Sequence, residues 1–134
     1  MAKRIVVVNK LRPKVTSQGV ADLDTLAARM ARQSTTFDED EMYGIFRKMI
    51  KEIVVALQNG ETVKLDGLVN ILPEMKVGGE VRLALRANRS AIAQLNDPAL
   101  WTAVKVTNHA NLHKSSDELV TLWNEAHPED PVED

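Results

Sequence analysis

Between Phe37 and Gly60 the chain has one well-marked solution, a long amphipathic helix. Asp38 is a good N-cap, Glu41 stands three residues on at the capping-box spacing, and Phe37 before the cap can staple onto Met42. Met42, Ile45, Phe46, Met49, Ile50, Ile53, Val54 and Leu57 then recur at the three-and-four spacing that puts them on one face, so that face must be buried. Asn59-Gly60 is a helix stop, because both residues tolerate the left-handed conformation of a helix C-terminus. Val63, Leu65 and Leu68 follow with the period of a strand that hinges on Gly67.

A shorter helix precedes this block. It opens at Asp22-Leu23-Asp24-Thr25-Leu26, with Leu26, Ala27, Met30 and Ala31 facing inward. Beyond the block, Gly78-Gly79 reads as a two-residue hairpin turn, and Ala87-Asn88 leads into another short helix that begins near Arg89, with Asn88 able to take the left-handed geometry.

The order helix, helix, strand, strand, short helix resembles the bacterial histone-like proteins of the HU and IHF family. Ala56-Leu57-Gln58-Asn59-Gly60-Glu61-Thr62-Val63-Lys64-Leu65 is similar to the end of that family's second helix and its first strand. Gly67-Leu68-Val69-Asn70-Ile71 stands where the family carries a Gly-Phe-Gly-Thr-Phe type segment, and Leu85-Arg86-Ala87-Asn88-Arg89 where it carries an aromatic, a basic residue and Pro-Gly-Lys. The upstream Val15 to Asp24 stretch is closest to the divergent HU-like branch that adds an N-terminal segment. The resemblance implies an α+β fold of two N-terminal helices, a short antiparallel sheet with a truncated arm and a C-terminal helix, built as an intertwined homodimer. It also implies non-specific contact with the DNA backbone in the bacterial nucleoid, and a dimer core of Phe46, Met49, Ile50, Ile53, Leu68 and Ile71. The family's long DNA-embracing arm is missing. Only Pro73 to Glu80 separates Leu72 from Val81, and Pro73 lies at a strand end rather than at a tip.

Three segments are expected: 1–14 as an N-terminal extension or edge strand, 15–95 as the HU-like domain, and 96–134 as a C-terminal extension. In the first, Ile5-Val6-Val7-Val8 reads as a strand. In the last, Asp97-Pro98 is a breaker, and Ala99 to Val106 can form a strand or a turn of helix. Ser115 and Glu118 offer a second capping box. Leu119, Leu122, Trp123 and Ala126 make a short stripe that must dock on its own subunit or on a protein partner. The residues after it read as disordered.

Charge divides the chain. The net value is −2, yet residues 1–95 hold 15 basic and 11 acidic side chains, while residues 96–134 hold 2 and 8. Two basic clusters are candidates for phosphate contact: Lys3, Arg4, Lys10, Arg12 and Lys14, and then Lys76, Arg82, Arg86 and Arg89. In a strand, Arg82 and Arg86 share one face while Leu83 and Leu85 take the other. The expected partners are therefore DNA and a second copy, with a protein partner for the C-terminal helix as the alternative.

No catalytic residues, cofactor or metal site is expected. The chain has no cysteine, which excludes a disulfide framework and a cysteine zinc site. His109 and His113 are four apart but lack a nearby carboxylate, and the acidic pairs Asp22/Asp24 and Asp38–Glu41 fall at helix starts where they complement the dipole. No apolar run, Ile5–Val8 included, approaches the roughly 20 residues of a membrane span, so a cytoplasmic protein is expected.

Overall fold

The computed structural model describes residues 1–133, an α+β chain that forms two compact units. The inner unit is Gly19–Asp97, and the terminal unit joins Met1–Gln18 to the chain from Pro98 onward. The flanks of the sequence are thus two halves of one unit rather than separate appendages, and the inner unit is an insertion between them.

In the inner unit, α1 and β1 of the terminal half having passed (Arg4–Leu11 and Lys14–Val15), α2 runs Leu23–Ala31 and α3 runs Glu39–Gln58. Each helix starts where a side chain can accept from the orphan amides. Asp22 accepts from Thr25 N–H at 2.9 Å, and Asp38 accepts from Glu41 N–H at 2.8 Å. The Thr25 backbone amide, and after it the Thr25 hydroxyl, hold the Asp22 carboxyl below the usual carboxylate range. A depressed folded pKa means that this cap contributes stability above the ordinary carboxylate range and loses it as pH falls through the lowered value.

The end of α3 is a two-bond Schellman closure, with Gly60 N–H donating to Leu57 C=O and Glu61 N–H to Ala56 C=O, both at 3.0 Å. Gly60 alone takes the positive φ, 77°, while Asn59 stays at −83°.

The segment after α3 is a hairpin, not one strand hinged on a glycine. β2 (Val63–Leu65) pairs antiparallel with β3 (Val69–Met75) through a three-residue loop, Asp66-Gly67-Leu68, closed by Leu68 N–H to Leu65 C=O at 2.9 Å. β3 then pairs with β4 (Val81–Ala87), from Val69↔Ala87 to Met75↔Val81, in the order β2-β3-β4. The second turn is longer than two residues. Lys76 N–H donates to Glu80 C=O at 2.8 Å, leaving Val77-Gly78-Gly79 as the loop, with both glycines at positive φ. Asn88 is extended (φ −72°) rather than left-handed, because it caps α4 (Arg89–Leu95) by accepting from Ser90 N–H at 2.8 Å.

The terminal unit corrects two expectations and decides a third. Ile5–Val8 lies inside helix α1 and is not a strand. The β-branched run favours a strand locally, but Val7, Val8 and Leu11 face α5 (Ser116–Ala126) and pack with Val120, Trp123 and Val132, which decides the matter. Trp101 follows a single 3-10 turn, Pro98–Leu100, and the strand lies further on: β1 pairs with β5 (Val106–Thr107). The acidic tail is packed as far as Val132, Glu133 is exposed, and the last residue lies outside the described ones. Val132 is buried, its amide donates to Asn124 Oδ1 at 2.8 Å, and Ala2 bridges to it.

Two asparagines end α1. Asn108, left-handed at φ 57°, donates from its side chain to the carbonyls of Lys10 (2.9 Å) and Arg12 (3.1 Å), and the buried Asn111 donates to that of Leu11 (2.9 Å). These are helix-end acceptors with no intrahelical donor. Asn111→Ala would leave a part-buried carbonyl unpaired, and is expected to destabilise the terminal unit by about 1 kcal/mol. Both tryptophans, Trp101 and Trp123, belong to this unit, so the thermal midpoint read by indole fluorescence measures that loss.

Candidate nucleic-acid interface

The register of the three-stranded sheet sorts its residues between two faces. Val63, Leu65, Ile71, Pro73, Met75, Val81, Leu83 and Leu85 share the face turned to α3, and Val54, Leu57, Pro73, Met75, Val81 and Leu83 line a groove of about 630 Å³ there. Lys64, Asn70, Leu72, Glu74, Arg82, Ala84 and Arg86 share the outer face. The pairings Lys64↔Asn70 and Asn70↔Arg86 put Lys64 and Arg86 at the two ends of one row across the sheet.

Within that arrangement the second basic cluster divides. Arg86 is exposed on the outer face, Arg89 is the exposed first residue of α4, and Lys76 stands beside the hairpin tip. Arg82 donates to Glu74 across the strands, with its Nε and Nη2 3.1 and 3.0 Å from one carboxylate oxygen, so much of its charge is offset within the sheet. Lys64 joins the set although the sequence clusters did not include it. Its signal was the alternation Val63-Lys64-Leu65, which turns the lysine outward.

The N-terminal cluster lies in the other unit, together with the acidic C-terminal residues. Arg4 is ion-paired with Asp117, the Met1 ammonium is 2.9 Å from Asp130, and Lys10 lies over the Trp123 ring, 5.2 Å from its centroid. Trp123 stacks on His127 with centroids 3.8 Å apart and donates its indole N–H to Asp130 C=O at 2.8 Å. Arg12 donates to Asn9 Oδ1 at 3.4 Å, while Lys3 and Lys14 are exposed. The terminal unit holds seven basic and seven acidic residues and is neutral; the inner unit holds 10 and 12. The surplus of basic residues over 1–95 therefore belongs to the terminal unit, where it is cancelled. Half of the inner unit's acidic residues, Asp22, Asp24 and Asp38–Glu41, cluster at or near the starts of α2 and α3 rather than on the sheet.

His109 Nε2 is 2.9 Å from the Trp101 carbonyl, and among the described residues no group of three His, Asp or Glu comes together as metal ligands would. The apolar side of α5 is occupied inside its own unit by Leu119, Val120 and Trp123, so its outward side is polar: Asp117, Glu118, Thr121 and Glu125. No helix among the described residues is long and apolar enough to cross a membrane.

The expected dimer-core residues are incompletely covered within one chain. Met49, Ile50 and Leu68 are exposed, Leu68 at 57%, and Phe46, Ile53 and Ile71 are half-buried. Only Ala27 and Met42 are buried apolar side chains in the inner unit, while Ile45, Val54, Met75, Val81, Leu83 and Leu85 are exposed as well. Compared with known proteins, the chain matches no family model, and no curated protein is similar to it.

Proposed function

We propose that the chain is an HU-like homodimer that contacts the DNA backbone weakly and with little base readout, through the outer face of its three-stranded sheet. The observation that carries this reading is the division of the sheet, with the exposed Lys64 and Arg86 on its outer face and an incompletely covered apolar reverse. Association with a second copy extends the cover that this reverse lacks, since exposed apolar surface on this scale marks an interaction site. Two outer faces then present two Lys64–Arg86 rows, joined by Arg89 and Lys76, as point charges for phosphates. The hairpin ends at Val77-Gly78-Gly79, too short to embrace a duplex, so the contact is a surface one.

Replacing Lys64, Lys76 and Arg89 together by alanine is expected to leave the helical circular dichroism unchanged. Binding to all duplex sequences should weaken about equally, with a salt dependence shallower by roughly one unit of slope per lost phosphate contact. Undetectable binding of random-sequence duplex by the full chain at low salt excludes this function. A dimeric scaffold that binds a protein partner is the second reading. It is favoured by one feature, the inner unit's 12 acidic against 10 basic residues, and it predicts that undetectable binding.

A further inference from the structure

β4 is the longer of the two edges of the three-stranded sheet, and its hydrogen-bonding pattern shows what that edge offers. Lys76 pairs with Glu80, and Asn88 N–H donates to Leu68 C=O at 2.7 Å. In an antiparallel ladder, hydrogen-bonded pairs alternate with non-hydrogen-bonded ones. The even-numbered residues of β4 therefore turn their backbone groups toward β3, and Val81, Leu83, Leu85 and Ala87 turn theirs to the free edge. The strand is seven residues long, contains no proline, and its apolar residues are exposed, Leu85 at 66%. An edge of this kind is a template for another strand.

We propose that this edge pairs antiparallel with β4 of a second copy, about a two-fold axis at Leu83. The proposal rests on the homodimer reading above and names the strand through which the copies meet. Several registers match the outward backbone groups, and side-chain charge and strand overlap separate them. A two-fold at Arg82 sets that arginine against its own copy, and one at Ala84 sets Arg82 against Arg86; both place like charges opposite each other. A two-fold at Leu85 pairs Arg86 with Ala84 and gains nothing. A two-fold at Leu83 sets Glu80 opposite Arg86 twice, Arg82 opposite the small Ala84 twice, and Val81 opposite Leu85 on the apolar side. A two-fold at Val81 also sets Glu80 opposite Arg82 but overlaps the two strands at Val81 alone, so Leu83 is the register that joins opposite charges while pairing most of the strand.

The result is a continuous six-stranded antiparallel sheet, isologous as a two-fold contact must be. Arg86 is shared between the Glu80 of the second copy and the outer surface, while Lys64, Lys76 and Arg89 lie outside the pairing. The apolar strips that line the groove beside Val54 and Leu57 become continuous across the axis.

The chain has no cysteine, so each single substitution supplies one thiol. In this register the two Leu83 Cα atoms are about 5.5 Å apart, within disulfide reach, and the two Leu85 Cα atoms are about 14 Å apart, outside it. Under mild oxidation of the full chain, Leu83→Cys is expected to form a covalent dimer and Leu85→Cys to remain uncrosslinked. Glu80→Arg should raise the dimer dissociation constant about tenfold, and adding Arg86→Glu should restore it, since the swapped charges again oppose each other. These two residues lie on the outer face, so the rescue distinguishes edge pairing from packing of the apolar faces. Absence of the Leu83→Cys crosslink, equal crosslinking of both variants, or failure of the double charge swap to rescue overturns the proposal. If sedimentation still shows a dimer in those cases, the homodimer stands and the edge pairing falls. A monomer throughout removes both, and leaves the edge to an extended segment of another protein.

Discussion

Val7→Asp is expected to unfold the terminal unit and leave the inner unit's helices in place. Val7 is 1% exposed and is the largest fully buried side chain among the described residues, packed with Val120 and Val132 where α1, α5 and the C-terminal tail meet. No cation is available inside that cluster, so the carboxylate would be buried without a partner. Such a charge costs roughly 3–5 kcal/mol, comparable with the whole stability of a small unit. The two tryptophans make the outcome readable, because both lie in this unit. Trp123 should lose its stack on His127 and its bond to the Asp130 carbonyl, and the indole emission should shift to the red. Far-UV circular dichroism should retain the share that α2, α3 and α4 contribute. Native emission from the variant would mean that the two ends of the chain do not hold each other as described. The same reasoning governs truncation: a chain ending near Asn96 lacks α5, β5 and both α1-capping asparagines, and should leave residues 1–18 without structure.

What the sequence showed follows from how local each cause is. Asp38, the Asn59-Gly60 stop and the Ser115 cap act within a turn of the residues they organise, so spacing alone located α3 and α5. Asp66-Gly67 was as local a signal. It was obscured because Val63, Leu65, Leu68 and Ile71 keep apolar residues on both sides of the turn, so one interrupted strand and a hairpin look alike. The N-terminal helix was not legible, since its partner face arrives over 100 residues later; Arg4 meets Asp117 at a separation of 113. For the same reason the basic cluster at 3–14 read as a nucleic-acid arm. Nothing near it in sequence showed that the acidic tail lies beside it. Of the candidate contacts, Arg86, Arg89 and Lys76 keep exposed positions. Arg82 is offset by Glu74, three residues beyond Ile71 on the facing strand, a contact that only the register reveals.

Ile50→Asp is expected to abolish the homodimer and, with it, the fold of the inner unit. Ile50 lies in the middle of the α3 stripe, and in one chain it is still 41% exposed, between the exposed Met49 and Val54 and the half-buried Phe46 and Ile53. If the chain were a monomer, that position would be half in water and aspartate would be tolerated at the ordinary cost of a surface change, within about 0.5 kcal/mol. If a second copy covers the stripe, the substitution buries two like charges, one from each chain, in an apolar interface. At several kcal/mol per charge, association weakens by a factor of ten for every 1.4 kcal/mol. The inner unit has only Ala27 and Met42 as buried apolar side chains of its own, too little to hold three helices and a sheet without its partner. Sedimentation should show monomer, and helical circular dichroism should fall by the share of α2 and α3. The tryptophan emission should stay native, because unfolding the insert lengthens the loop between the halves of the terminal unit, and that cost grows only logarithmically. A variant with the parent's sedimentation and thermal midpoint would show that α3 presents its stripe to solvent, and the homodimer reading would fail with it.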